Sequence, residues 1–130
     1  MVESVLTWWA GWIPAFVLTC AIEVPVYLLV LGLAGLTGGE QARITRAQAA
    51  LTAVGVNVAT HPLFWAIALE LDDMAGLVMA ELAVIVVEGL LLFAVLRQRW
   101  WACAGCALVA NTASAVLGTA AAGALTSWAA

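Results

Sequence analysis

The chain has 130 residues, of which 66% are hydrophobic and 9% are charged, and its formal net charge is −4. Soluble domains carry roughly 25% charged residues, so a water-soluble enzyme of this composition is excluded. A disordered chain is excluded as well, because disorder needs low hydrophobicity and high charge. The acidic balance and the lack of a basic run exclude nucleic acid as a partner. The composition therefore predicts an all-α integral membrane protein whose surroundings are the lipid bilayer.

The apolar stretches between the charges predict the spans. A membrane span needs roughly 20 apolar residues, and four such stretches follow one another along the chain. We place them at about 13–36, 47–69, 75–96 and 101–126. Together they predict a single integral membrane domain over residues 1–130, built as a four-transmembrane-helix bundle.

The segment before the first span is rich in tryptophan. Trp8, Trp9 and Trp12 precede that span, and indole rings favour the headgroup level of a bilayer. We expect residues 1–12 to form an interfacial segment before Pro14 turns the chain inward. Glu3 and the missing basic n-region argue against a cleaved signal peptide.

The loops predict the orientation of the bundle. All four arginines lie in or beside the first and third loops, at 37–46 and 97–100, whereas the second loop, around Asp72, is acidic. Positive charge marks cytoplasmic loops. We therefore expect an integral protein of the plasma membrane, with these two loops on the cytoplasmic side and both termini on the outer side.

Each predicted span carries its polar residues on one helical face. At 100° per residue, Glu81 and Glu88 on the third span are nearly eclipsed, and the other spans give a similar result. On the fourth span, Leu108, Val109 and Val116 point the other way, toward lipid. The residues predicted to bind substrate or protons in a shared interior are Glu23, Tyr27, Asn57, Thr60, His61, Glu81, Glu88, Asn111 and Ser114.

A short internal repeat relates the second and fourth spans. Asn57-Val58-Ala59-Thr60 resembles Asn111-Thr112-Ala113-Ser114, and each follows a cytoplasmic arginine pair and a span with an inward glutamate. The similarity predicts two duplicated helical hairpins, related by an axis along the membrane normal.

The charges of the interior predict transport as its leading function. An ionisable residue at membrane depth is expected to be functional, and Glu23 and Glu88 have no basic residue at that depth. Pro25 and Pro62 free backbone carbonyls beside Glu23 and His61. We expect a proton- or cation-coupled small transporter with Glu81 as the outer entry carboxylate. Four spans are few for such work, so we expect a homo-oligomer, with the small-residue face of the fourth span as the contact.

Two other functions stay open at this stage. Glu23 and His61, with Glu81 or Glu88, have the side-chain chemistry of a divalent metal site, which would support an intramembrane hydrolase. Alternatively, the chain is a non-catalytic subunit of a larger membrane complex. The sequence does not decide whether the protein is an enzyme.

Overall fold

The computed structural model describes the backbone of residues 2–38 and 42–128 and the side chains of residues 8–38 and 42–120. Within these residues the chain is all-helical, as predicted. Each helix contains a stretch that is long and apolar enough to cross a membrane. The four helices are α1 (Val2–Leu33), α2 (Arg46–Ala68), α3 (Met74–Leu96) and α4 (Trp100–Trp128).

The first helix differs most from the prediction. It runs without interruption from Val2 to Leu33, through Pro14 and Pro25, so Pro14 does not turn the chain. The φ angle of proline is itself helical, and the loss is a single backbone hydrogen bond, which a long apolar helix tolerates. The helix ends three residues earlier than expected because Gly35 adopts a φ of +70°, in the left-handed region.

Local capping fixes the starts of α2 and α3. The Thr45 hydroxyl accepts a hydrogen bond from the backbone N–H of Gln48, and the Gln48 side chain accepts one from the backbone N–H of Thr45. This capping box starts α2 at Arg46. The Asp73 carboxylate caps α3 by accepting from the backbone N–H of Gly76. Both helices therefore begin one residue before the predicted boundary.

The helices pack in the cyclic order α1, α2, α3, α4, and within the described part of the chain the backbone of each helix lies close to those of its two neighbours. Gly89 brings α3 close to α4, because a Cβ atom at this position would lie 3.4 Å from the Cα atom of Ala104. This ring leaves a central space that side chains of all four helices can reach.

The end of the bundle near the first and third loops has an apolar interior. The second half of α1 and α3 and the first half of α2 and α4 supply it. Its members within the helices are Tyr27, Leu31, Ala49, Ala53, Val56, Leu92, Leu96, Ala102, Cys103, Cys106, Ala107 and Ala110.

The outer surface of the bundle is apolar as well. Large apolar side chains are exposed on every helix, for example Leu29, Leu63 and Leu90. On α4, the outward positions of Leu108, Val109 and Val116 are confirmed. On the small-residue face of α4, Ala107 and Asn111 are buried inside the bundle, whereas Ala104 is exposed and Ala115 and Gly118 are partly buried.

Candidate functional site

Polar side chains from all four helices surround a cavity of about 90 Å³. It begins beside the apolar core and extends toward the α2–α3 loop. Eight of the nine predicted site residues line it, and the ninth, Tyr27, contacts Glu88 from the side of the core. The cavity lining consists of Thr19, Glu23, Asn57, Thr60, His61, Phe64, Glu81, Val84, Glu88, Asn111, Ser114 and Ala115.

Glu23 of α1 is buried and accepts hydrogen bonds from two neighbouring helices. Its Oε2 atom accepts from Nδ2 of Asn57, on α2, at 2.9 Å. Its Oε1 atom accepts from the hydroxyl of Ser114, on α4, at 2.6 Å. Both donors are uncharged, so the carboxyl group is held in place without a counter-ion.

Glu88 of α3 is buried to the same extent and accepts three hydrogen bonds. Its Oε2 atom accepts from Nδ2 of Asn111, on α4, at 2.6 Å and from the Tyr27 hydroxyl, on α1, at 2.8 Å. Its Oε1 atom accepts from the Thr60 hydroxyl, on α2, at 2.6 Å. The bond from Tyr27 joins helices that lie diagonally across the bundle.

The hydrogen bonds around Glu23 and Glu88 follow one pattern. In each case Oε2 accepts from the asparagine of the same hairpin, whereas Oε1 accepts from a hydroxyl of the other hairpin. Each asparagine also donates to the carbonyl four residues earlier in its helix. In this pattern Asn57 and Thr60 correspond to Asn111 and Ser114, as they do in the short sequence repeat, and Glu23 on the preceding helix corresponds to Glu88.

The hydroxyl groups of Thr60 and Ser114 each have one hydrogen but lie near two hydrogen-bond acceptors. Thr60 lies within hydrogen-bond distance of both Glu88 and the Val56 carbonyl, and Ser114 of both Glu23 and the Asn111 carbonyl. A hydroxyl has one proton but can also accept. Thr60 can therefore donate to the Val56 carbonyl while it accepts a hydrogen bond from a protonated Glu88. Ser114 can do the same between the Asn111 carbonyl and a protonated Glu23.

The arginines lie far from this site along the helices. Arg46 is at the start of α2, Arg97 and Arg99 are between α3 and α4, and Arg43 precedes α2; all four are exposed. Among the described residues, the hydrogen-bond partners of Glu23 and Glu88 are amide and hydroxyl groups. A proton or a bound cation is the species that can neutralise such carboxylates.

His61 connects the cavity to an aromatic cluster. Its Nε2 atom lies 3.2 Å from the Thr19 hydroxyl, and its Nδ1 atom is buried without a hydrogen-bond partner among the described residues. The ring centroids of Trp12 and Phe16 lie 6.1 and 5.6 Å from that of His61. From the sequence, Trp12 is expected at the membrane interface, and its contact with His61 was not predicted. The i, i+4 spacing of Trp12 and Phe16, which places both rings on one face of α1, is the sequence signal for this cluster.

The tentative metal ligands do not form a coordination site in the described part of the chain. No group of three or more His, Cys, Asp or Glu side chains there lies close enough to hold one ion. Glu23 and Glu88 instead accept hydrogen bonds from amide and hydroxyl groups. The hydrolase alternative therefore gains no support from the geometry.

The chain was compared with known proteins at three levels, and it matches no protein-family model, no curated protein and no solved structure.

Proposed function

We propose that the protein is a small integral membrane transporter whose substrate movement is coupled to protons or another cation. One observation carries this proposal: Glu23 and Glu88 are both buried inside the bundle, and every hydrogen-bond donor that reaches them from the described residues is uncharged. A buried carboxyl pair without a fixed counter-ion favours the binding of a proton or a cation in a medium of low dielectric constant. This property is what a coupled transporter requires of its site.

The distribution of polarity supports insertion into a membrane. The outer surface of the helices is apolar, whereas charged and polar side chains are buried between them, which is the reverse of what a soluble protein shows. Glu23 lies ten residues before the end of α1, about 15 Å along the helix, and Asn57 and Asn111 lie eleven residues after the starts of α2 and α4. In a hydrocarbon layer about 30 Å thick, the site would lie near the midplane.

The arginines support one orientation. With loops 37–46 and 97–100 on the cytoplasmic side of the plasma membrane, both termini and the acidic loop lie outside. The cavity then extends from Glu23 and Glu88 toward the outside, and the apolar core separates both carboxyl groups from the cytoplasm. Access from one side at a time is the basis of alternating access.

A second copy of the chain is part of the proposal. Four helices in one tight ring leave little room for one half to move against the other, so we propose a homo-oligomer. The exposed apolar side chains of α4, which include Leu108 and Val116, offer a surface for the contact between copies.

The proposal is tested in proteoliposomes that enclose a pH-sensitive dye. Quaternary ammonium ions of increasing size serve as probes, because they cannot cross a bilayer as neutral bases. We expect at least one of them to drive proton movement through the wild-type protein. Glu23→Gln and Glu88→Gln should each abolish that movement, whereas the exposed loop variant Glu70→Gln should retain it.

Two outcomes would contradict transport. One is a folded, reconstituted protein that moves no protons with any probe or under an imposed pH gradient. The other is quantitative copurification with a second membrane protein, with activity in the complex alone, which would favour a subunit role.

A further inference from the structure

The pattern of bonds around Glu23 and Glu88 is not fully symmetric, and the differences bear on which ion the site exchanges. Four residues toward the C-terminus from Glu23 is Tyr27, whereas the matching position after Glu88 is Leu92. Tyr27 donates to Glu88, so Glu88 accepts three hydrogen bonds and Glu23 accepts two. The Leu92 side chain has no polar atom, so it cannot donate a corresponding hydrogen bond to Glu23.

Hydrogen bonds donated to a carboxyl group stabilise its ionised form. The additional donor therefore favours the ionised form of Glu88 over that of Glu23. When the pair holds one proton, that proton belongs on Glu23. Its Oε1 atom faces the Ser114 hydroxyl, which can accept a hydrogen bond from the protonated carboxyl group while it donates its own hydrogen to the Asn111 carbonyl.

We propose that the site binds one exchangeable proton, carried by Oε1 of Glu23, and that Tyr27 keeps Glu88 as the fixed carboxylate of the pair. This inference rests on the proposed function and names its coupling ion. Proton binding forms one O–H bond at Oε1 and neutralises one carboxylate. Release breaks that bond, sends the proton into the cavity, and lets Ser114 donate to Glu23 again.

A metal cation fits this arrangement less well than a proton. Hard cations take about six or more oxygen ligands, whereas no group of three or more His, Cys, Asp or Glu side chains among the described residues lies close enough to hold one ion. Here Asn57 and Asn111 each direct an N–H group at Oε2 of their glutamate, and both amides are also anchored to their own helices. These fixed donors suit a carboxyl group that gains and loses a proton.

Other titratable groups lie around the pair and belong in the design of the test. Glu81 and His61 line the same cavity. Around Glu23 and Glu88, the titratable groups on the four helices are Cys20 and Tyr27 on α1, His61 on α2, Glu81 on α3 and Cys106 on α4.

Infrared spectroscopy of the reconstituted protein detects the proposed proton directly. A protonated carboxyl group gives a carbonyl band that a carboxylate lacks, and the pH is stepped from mildly acidic to mildly alkaline. We expect wild type to show a titrating band, Glu23→Gln to lose it, and Glu88→Gln to retain it at the acidic end. The control Glu81→Gln should leave the band in place. Tyr27→Phe should add a second component, because Glu88 then loses its third donor.

The two hydroxyls provide a matched pair of variants that spare both carboxyl groups. Ser114→Ala should shift the frequency of the Glu23 band because it removes the partner of the protonated oxygen. Thr60→Ala should leave the frequency of that band unchanged and, like Tyr27→Phe, add a second component, because Glu88 then accepts two hydrogen bonds instead of three. Exchange of potassium for sodium in the buffer should have no effect.

The assignment of the proton to Glu23 would be overturned if wild type showed no titrating band, or if Glu88→Gln lost the band while Glu23→Gln kept it. An equal frequency shift in Ser114→Ala and Thr60→Ala would also overturn it, as would displacement of the band by sodium. A band that behaves as expected in a protein without flux would contradict transport and leave the proton site standing.

Discussion

Asn57 and Asn111 show how a single side chain can serve both the helix and the site. Each amide nitrogen donates to a carbonyl of its own helix and to a glutamate of the neighbouring helix. An amide group has two N–H bonds, so both contacts can be made at once. The asparagines thereby fix the positions of the two glutamates without adding a charge of their own.

We expect Asn57→Ala and Asn111→Ala each to lower the free energy of unfolding by about 1 to 2 kcal/mol, because a buried carboxyl oxygen loses its amide donor. Unfolding in mixed micelles measures the change. Thr119→Ala is the control: Thr119 is exposed and bonds within its own helix, and its loss should cost less than about 0.5 kcal/mol. Equal stability of all three variants would show that the amide bonds contribute little.

His61 presents a second residue-scale prediction. Its Nδ1 atom and the Nε1 atoms of Trp12 and Trp65 are buried without partners among the described residues. Buried polar atoms usually bond to protein or to ordered water. We expect ordered water at His61, reached from the cavity. His61→Phe should then reduce proton movement in proteoliposomes several-fold while the protein stays folded; unchanged movement would remove His61 from the pathway.

Among the helices, the contact of α3 with α4 depends on Gly89. Gly89→Leu should separate these helices and lower the free energy of unfolding by about 1 to 3 kcal/mol, because the larger side chain meets the backbone of Ala104. The adjacent Glu88 would move away from Asn111, so transport should fail as well. Gly105→Leu, on α4, is the control, since a Cβ atom there meets nothing within 4 Å. An equally stable Gly89 variant would contradict the proposed close packing.

At the scale of whole helices, the sequence predicted most of the fold. Charge and hydropathy alone located all four helices, and the starts of α2 and α3 differ by one residue because the capping side chains of Thr45 and Asp73 act locally. The start of α1 was not predicted, because Pro14 indicates a turn in the sequence although the φ angle of proline suits a helix.

The site was predicted residue by residue but not bond by bond. Helical periodicity is enough to place Glu23, Asn57, Glu88 and Asn111 on inward faces. It contains no information about the rotation of one helix against another, so the hydrogen-bond partners could not be assigned. The diagonal bond from Tyr27 to Glu88 is the clearest example, because the two residues are 61 positions apart.

For the molecule as a whole, the proposed orientation can be tested by labelling. In a cysteine-free background, we expect a membrane-impermeant thiol reagent applied outside intact cells to modify Asp72→Cys and to spare Arg43→Cys. Both positions are exposed, so accessibility within the protein does not bias the comparison. Permeabilised cells provide the control, in which both should react. The opposite pattern in intact cells would invert the orientation.

Three of the hydrogen bonds at the site join the α1–α2 hairpin to the α3–α4 hairpin, and all three end on a carboxyl group. They come from Tyr27 and Thr60 to Glu88 and from Ser114 to Glu23. Hydrogen bonds to a charged acceptor are stronger than bonds to a neutral one. The mechanical stiffness of the seam between the hairpins therefore depends on how many protons the carboxyl pair holds. Binding of a proton at the site would weaken the hydrogen bonds between the α1–α2 and α3–α4 hairpins, and release of the proton would strengthen them.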